Sequence, residues 1–110
     1  MSLSVNLSYK CDGNDVNVFE VNITHNLNKM AAKSEIYSEI WHPDELGIKI
    51  AKELIERLTF GLEKLKSNKD FFKEFDASNG WGTYEDFLYF VEKYLEACKK
   101  YPNSKINVNR

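Results

Sequence analysis

Apolar and polar positions alternate at the start of the chain. Leu3, Val5, Leu7 and Tyr9 fall on one phase, and Ser4, Asn6, Ser8 and Lys10 on the other. That period of two marks a strand with one wet face. Cys11-Asp12-Gly13-Asn14-Asp15 follows as a dense turn signal, and residues 16–23 form a second β-rich run. Its phase shifts midway. Val16 and Val18 share one face, while Phe19, Val21 and Ile23 share the other. A bulge near Val18 and Phe19 reconciles the two halves. Together the runs predict an antiparallel hairpin.

Helical spacing then takes over. Leu27, Met30 and Ala31 mark a short helix from about Thr24, and Ile36, Tyr37, Ile40 and Trp41 mark another. His42-Pro43-Asp44-Glu45 reads as a start signal, with proline near the first turn and acids behind it. A long helix is predicted after it, with a stripe of Ile48, Ala51, Leu54, Ile55, Leu58, Leu62 and Leu65. Gly61 lies inside that stripe at a cost of about 1 kcal/mol against alanine, which points to close packing. Ser67 and Asn68 break the pattern, and Phe71, Phe72 and Phe75 define a short aromatic helix. Asn79-Gly80-Trp81-Gly82 reads as a turn. Thr83 then caps a helix, with Asp86 in the capping-box position. Phe87, Phe90, Val91, Tyr94, Leu95 and Cys98 form its stripe, and Pro102 and Asn103 end it. Ile106 and Val108 alternate with Asn107 and Asn109 as a short terminal strand.

The order β-β, helices, β predicts one α+β domain over residues 1–110. A small three-stranded antiparallel sheet, the N-terminal hairpin plus the C-terminal strand, packs against about three main helices. The last strand either joins the hairpin or pairs with a second copy of the chain to make a homodimer. The length of 110 residues suits one domain that folds without metal or disulfide.

Charge narrows the partners. Fifteen Lys+Arg against seventeen Asp+Glu give a net charge of -2, which disfavours duplex nucleic acid. No stretch approaches the ~18 apolar residues of a membrane helix. Met1-Ser2-Leu3-Ser4-Val5 lacks the basic and apolar regions of a signal peptide. A cytoplasmic setting is expected, with Cys11 and Cys98 as free thiols and Cys98 packed in the core.

Two segments concentrate candidate chemistry. In Asn22-Ile23-Thr24-His25-Asn26 a strand passes into a helix. The helix N-terminus favours anions, Asn22, Thr24 and Asn26 offer hydrogen bonds, and His25 offers a proton near neutral pH. Thr24 is equally an ordinary N-cap there. The second segment is Asn79-Gly80-Trp81-Gly82-Thr83-Tyr84-Glu85. Trp81, framed by glycines, can stack on a planar ligand or cover the helix end. Thr83 opens a helix, and Tyr84 and Glu85 add a hydroxyl and a carboxylate. Trp41 reads as a core plug at a corner. Two histidines and two cysteines in no cluster give no metal-ligand spacing, and no cofactor motif is present.

Residues 22–27 with Met30 and Ala31, then Ile36-Tyr37, Trp41 with Pro43, Leu46-Gly47-Ile48, Gly61-Leu62, residues 79–85 and residues 94–98 carry a resemblance. The chain resembles a family of small uncharacterised proteins encoded by bacteria and their bacteriophages, from residue 19 onward. The resemblance implies a phage or bacterial intracellular setting and supplies no catalytic residues. The expected function is non-catalytic binding of a small polar or anionic ligand, nucleotide-like in its fullest form. Asn22, Thr24, His25, Asn26, Trp81, Thr83, Tyr84 and Glu85 are the candidate site. The alternatives are an interaction module that engages a host protein, and a small enzyme with His25 as general base and Glu85 as general acid.

Overall fold

The computed structural model describes residues 2–76 and 82–110. The N-terminal hairpin forms as expected. Strand β1 (Ser2–Cys11) pairs antiparallel with β2 (Asn14–Thr24) across Asp12 and Gly13. Both turn residues have positive φ, 51° and 81°, the Asp-Gly pattern of a tight hairpin turn. The register runs Leu7 to Phe19 and Ser8 to Asn17, so Val18 is skipped and forms the bulge. Strand β3 (Lys105–Asn109) pairs antiparallel with β1 within the same chain, giving the order β2-β1-β3.

One sheet face carries Leu3, Val5 and Leu7 of central β1, all fully buried. The other is wet. Asn22, Ser4 and Asn109 align in one row and Glu20, Asn6 and Asn107 in the next. These side chains bond among themselves, Asn6 Nδ2 to Asn17 Oδ1 at 3.0 Å and Asn107 Nδ2 to Ser8 Oγ at 3.0 Å.

After β2 the chain makes a 3-10 turn, His25–Leu27, and two short helices, α1 (Asn28–Lys33) and α2 (Tyr37–Trp41). The expected long helix is divided. A 3-10 turn, Pro43–Leu46, stops at Gly47, whose φ of +74° is left-handed. Lys49 and Ile50 then extend along the outer edge of β3. Ile106 N–H donates to Lys49 O at 3.0 Å, and Ile50 bridges Lys105. A second 3-10 turn, Ala51–Leu54, leads into α3 (Ile55–Ser67). The backbone departs from a helix because glycine releases it and β3 offers bonding partners. The predicted stripe still faces inward: Ile48, Ala51, Leu54, Leu58 and Leu65 are buried.

Gly61 of α3 meets Ile36 closely. A β-carbon there would come within 2.5 Å of Ile36 Cγ2, so the glycine exists for packing. Helix α4 (Lys69–Lys73) buries Phe72 and leaves Phe71 half exposed. Helix α5 (Tyr84–Lys100) packs on α3 and across β2. Its predicted stripe is buried throughout, and Phe19 of β2 stacks on Tyr94 at 6.4 Å between ring centroids. Cys98 is buried and Cys11 exposed, both as free thiols. No helix among the described residues is long and apolar enough to cross a membrane.

Burial pushes the Tyr94 phenol well above its usual range and the Cys98 thiol up to about 12. Both stay neutral. The Tyr94 hydroxyl is fully buried and has no hydrogen-bond partner among the described residues. An unsatisfied buried hydroxyl costs about 1–3 kcal/mol. Tyr94→Phe is therefore expected to stabilise the fold by about 1 kcal/mol, read as a higher urea midpoint at unchanged m-value. A lower midpoint would show that the hydroxyl contributes a bond.

Candidate functional site

The first polar segment closes the sheet. Asn22 Oδ1 accepts the Ser4 hydroxyl at 2.5 Å, and Thr24 Oγ1 accepts Asn26 N–H at 3.3 Å as the cap of the 3-10 turn. His25 Nδ1 accepts the indole N–H of Trp41 at 3.0 Å. Since Nδ1 is the acceptor, the proton of the neutral ring lies on Nε2. Trp41 is 2% exposed. Its ring stacks on Tyr37, 5.3 Å between centroids and 17° between planes. Its carbonyl accepts Arg110 Nη1 at 2.7 Å, and Arg110 also lies 3.6 Å from Asp44. Trp41 thus ties both the strand-to-helix junction and the end of β3 to α2.

The second segment begins, for the described residues, at Gly82; Asn79, Gly80 and Trp81 lie outside them. Gly82 has φ +121°, and a β-carbon there would stand 2.8 Å from Thr24 Cγ2 and 3.1 Å from Leu27 Cγ. The end of β2 and the approach to α5 are therefore in van der Waals contact. Thr83 and Asp86 form the expected capping box, Thr83 Oγ1 accepting Asp86 N–H at 3.1 Å and Asp86 Oδ2 accepting Thr83 N–H at 3.3 Å.

Tyr84 and Glu85 are engaged elsewhere. The Tyr84 hydroxyl donates to the Leu65 carbonyl of α3 at 2.8 Å, in the core, and its N–H donates to Asp76 Oδ1 at 2.6 Å. Glu85 is ion-paired with Lys73 of α4 at 2.5 and 3.1 Å. That bond holds the Glu85 carboxyl below the usual carboxylate range and raises the Lys73 amine. Glu85 is consequently an anion at neutral pH, with no proton to give as a general acid.

Between α1 and α2 the structure opens a shallow cleft of about 240 Å³ lined by Asn28, Lys29, Ala32 and Tyr37. Sequence reasoning missed it, along with the Trp41–His25 bond and the role of Arg110, whereas Trp41 is buried as the core plug expected. The available signal was the spacing of Tyr37 and Trp41, four apart on one helix and so on one face. A second cleft of about 250 Å³ lies on the wet sheet face between Asn6, Glu20 and Asn107, and a third of about 350 Å³ between Glu39, Glu56 and Phe60. Among the described residues no group of three or more His, Cys, Asp or Glu can hold a metal ion.

The class defined by these observations is a small α+β domain with a polar-aromatic cluster at one end of its sheet. No family model, no curated protein and no solved structure matches the chain.

Proposed function

We propose that this chain is a non-catalytic binding protein that takes a small polar or anionic ligand where the end of β2 meets the start of α5. The observation that supports the reading is the position of Gly82, where a β-carbon would stand 2.8 Å from Thr24 Cγ2 and 3.1 Å from Leu27 Cγ. Asn22, Thr24, His25 and Asn26 contribute from one side and Thr83 from the other, and Trp81, next in sequence to Gly82 and outside the described residues, is the candidate stacking ring. The fixed His25 tautomer offers an Nε2–H donor, and Lys29 supplies positive charge nearby. Tyr84 and Glu85 support the helix that carries Thr83. A nucleotide-like ligand satisfies both a stacking ring and polar grips. In keeping with the family resemblance, the setting is the cytoplasm of a bacterium, with or without a phage.

Titration calorimetry against a panel of nucleotides and phosphorylated metabolites tests this reading. One panel member is expected to bind, and Trp81→Ala should weaken it about 5- to 100-fold, the size of a lost stacking contact. An empty panel, or affinity indifferent to Trp81, rejects the site. A second reading, engagement of a host protein, draws on the free edge of β2 and on Val16, 47% exposed. An empty panel together with a stoichiometric protein partner would favour it. The enzyme reading is weaker, because Lys73 holds Glu85 as an anion.

A further inference from the structure

The cleft between α1 and α2 carries a distinct chemistry on its wall. Tyr37 lines it, and the Tyr37 hydroxyl lies 3.4 Å from His42 Nε2. The other ring nitrogen, Nδ1, is sealed from solvent and has Glu45 Oε2 at 2.9 Å, close enough for an ion pair though not aligned as a hydrogen bond. Phenol, imidazole and carboxylate thus follow one another in contact. This order is the one that activates a hydroxyl nucleophile: the imidazole takes the proton, and the carboxylate stabilises the imidazolium. The 3.4 Å separation is long, as such contacts commonly are before a ligand closes on them. The Tyr37 ring is held in place by its stack on Trp41. Among the described residues, the charged side chain lining the cleft is the Lys29 ammonium, with the Asn28 amide beside it, so the cleft attracts anions.

We propose that Tyr37 is a base-assisted nucleophilic phenol, a site of covalent modification by anionic electrophiles that enter this cleft. With an aryl sulfonyl fluoride the step is balanced. The phenol oxygen forms a bond to sulfur, the S–F bond breaks with its electron pair leaving on fluoride, and the phenol proton passes to His42 Nε2. The proposal stands apart from the ligand reading, since an empty calorimetric panel leaves the reactivity of Tyr37 untouched.

The test compares para-fluorosulfonyl benzoate, an anion, with the neutral benzamide analogue, and maps labelled tyrosines by peptide mass spectrometry. Tyr89, 61% exposed, is the internal standard. The benzoate should label Tyr37 on the order of a hundredfold faster than Tyr89, the lower range for a positioned base. His42→Gln should remove that advantage. Glu45→Gln, at an exposed position that leaves the fold intact, should reduce it, and Tyr89 should be unchanged in both. Lys29→Gln should abolish the preference for the anionic reagent. A Tyr37 rate no greater than that of Tyr89, or one that neither His42→Gln nor Glu45→Gln changes, overturns the proposal. Labelling indifferent to reagent charge overturns the assignment of the cleft to anions.

Discussion

Trp41→Ala is expected to cost about 3–5 kcal/mol of folding stability, the range for deleting a buried large aromatic ring. Against the roughly 5–15 kcal/mol that holds a domain together, that is enough to leave a substantial unfolded population. Three losses combine. The ring is 2% exposed, so its removal leaves a cavity. His25 Nδ1 loses its donor. Tyr37 loses its stacking partner. Trp41→Phe helps separate these terms, because it keeps an apolar ring against Tyr37 while removing the N–H and only part of the ring volume. It should cost clearly less than alanine, and the imidazole nitrogen shifts of His25 should move in NMR as Nδ1 loses its bond. Urea unfolding followed by far-ultraviolet circular dichroism gives the energies without relying on tryptophan fluorescence. An alanine cost below about 1 kcal/mol, typical of a surface site, would show that Trp41 is not the plug described.

Gly82→Ala is expected to cost about 2–4 kcal/mol, from backbone strain and overpacking together. At φ +121° an L side chain is strained whatever the space around it, and here its β-carbon would also strike Thr24 Cγ2 at 2.8 Å. Gly47→Ala is the control for conformation alone. Gly47 has φ +74° with nothing within 4 Å of a β-carbon, so it should cost only about 1 kcal/mol. Thr24→Ser in the Gly82→Ala background removes the struck methyl while keeping the capping hydroxyl. It should recover part of the loss and leave the backbone term. If Gly82→Ala and Gly47→Ala cost the same, the contact between β2 and the start of α5 is loose, and the proposed meeting of the two polar segments loses its support.

What could be read from the chain was local. The hairpin, the Val18 bulge, the Thr83 capping box and the buried stripe of α5 each depend on residues within a few positions of one another. Burial was legible even where conformation was not: Ile48 and Ala51 belong to the core as expected, yet the backbone around Lys49 is extended. The missing information was the position of β3, more than fifty residues away, whose edge draws Lys49 and Ile50 out of a helix. The site divides the same way. Thr24 and Thr83 are caps by their local sequence. The bond between Trp41 and His25 and that between Arg110 and Trp41 span 16 and 69 residues, and only packing brings them together. Tyr84 and Glu85 looked like ligand groups because their partners, the Leu65 carbonyl and Lys73, could not be paired with them from spacing alone.

The skipped residue in β2 bears on how this chain behaves in a crowded solution. With Lys49 and Ile50 lying along β3, the uncovered edge of the sheet among the described residues is β2. At eleven residues it is long enough to template indiscriminate strand addition. Val18 interrupts its bonding rhythm near the middle, so a straight newcomer can keep in step with only half of it at a time. Glu20 and Asp15 place negative charge on either side of that interruption, where two copies meeting edge to edge would bring like charges together. Colloidal self-protection is thus written into the same irregularity that puts Val16 and Phe19 on one face of the sheet.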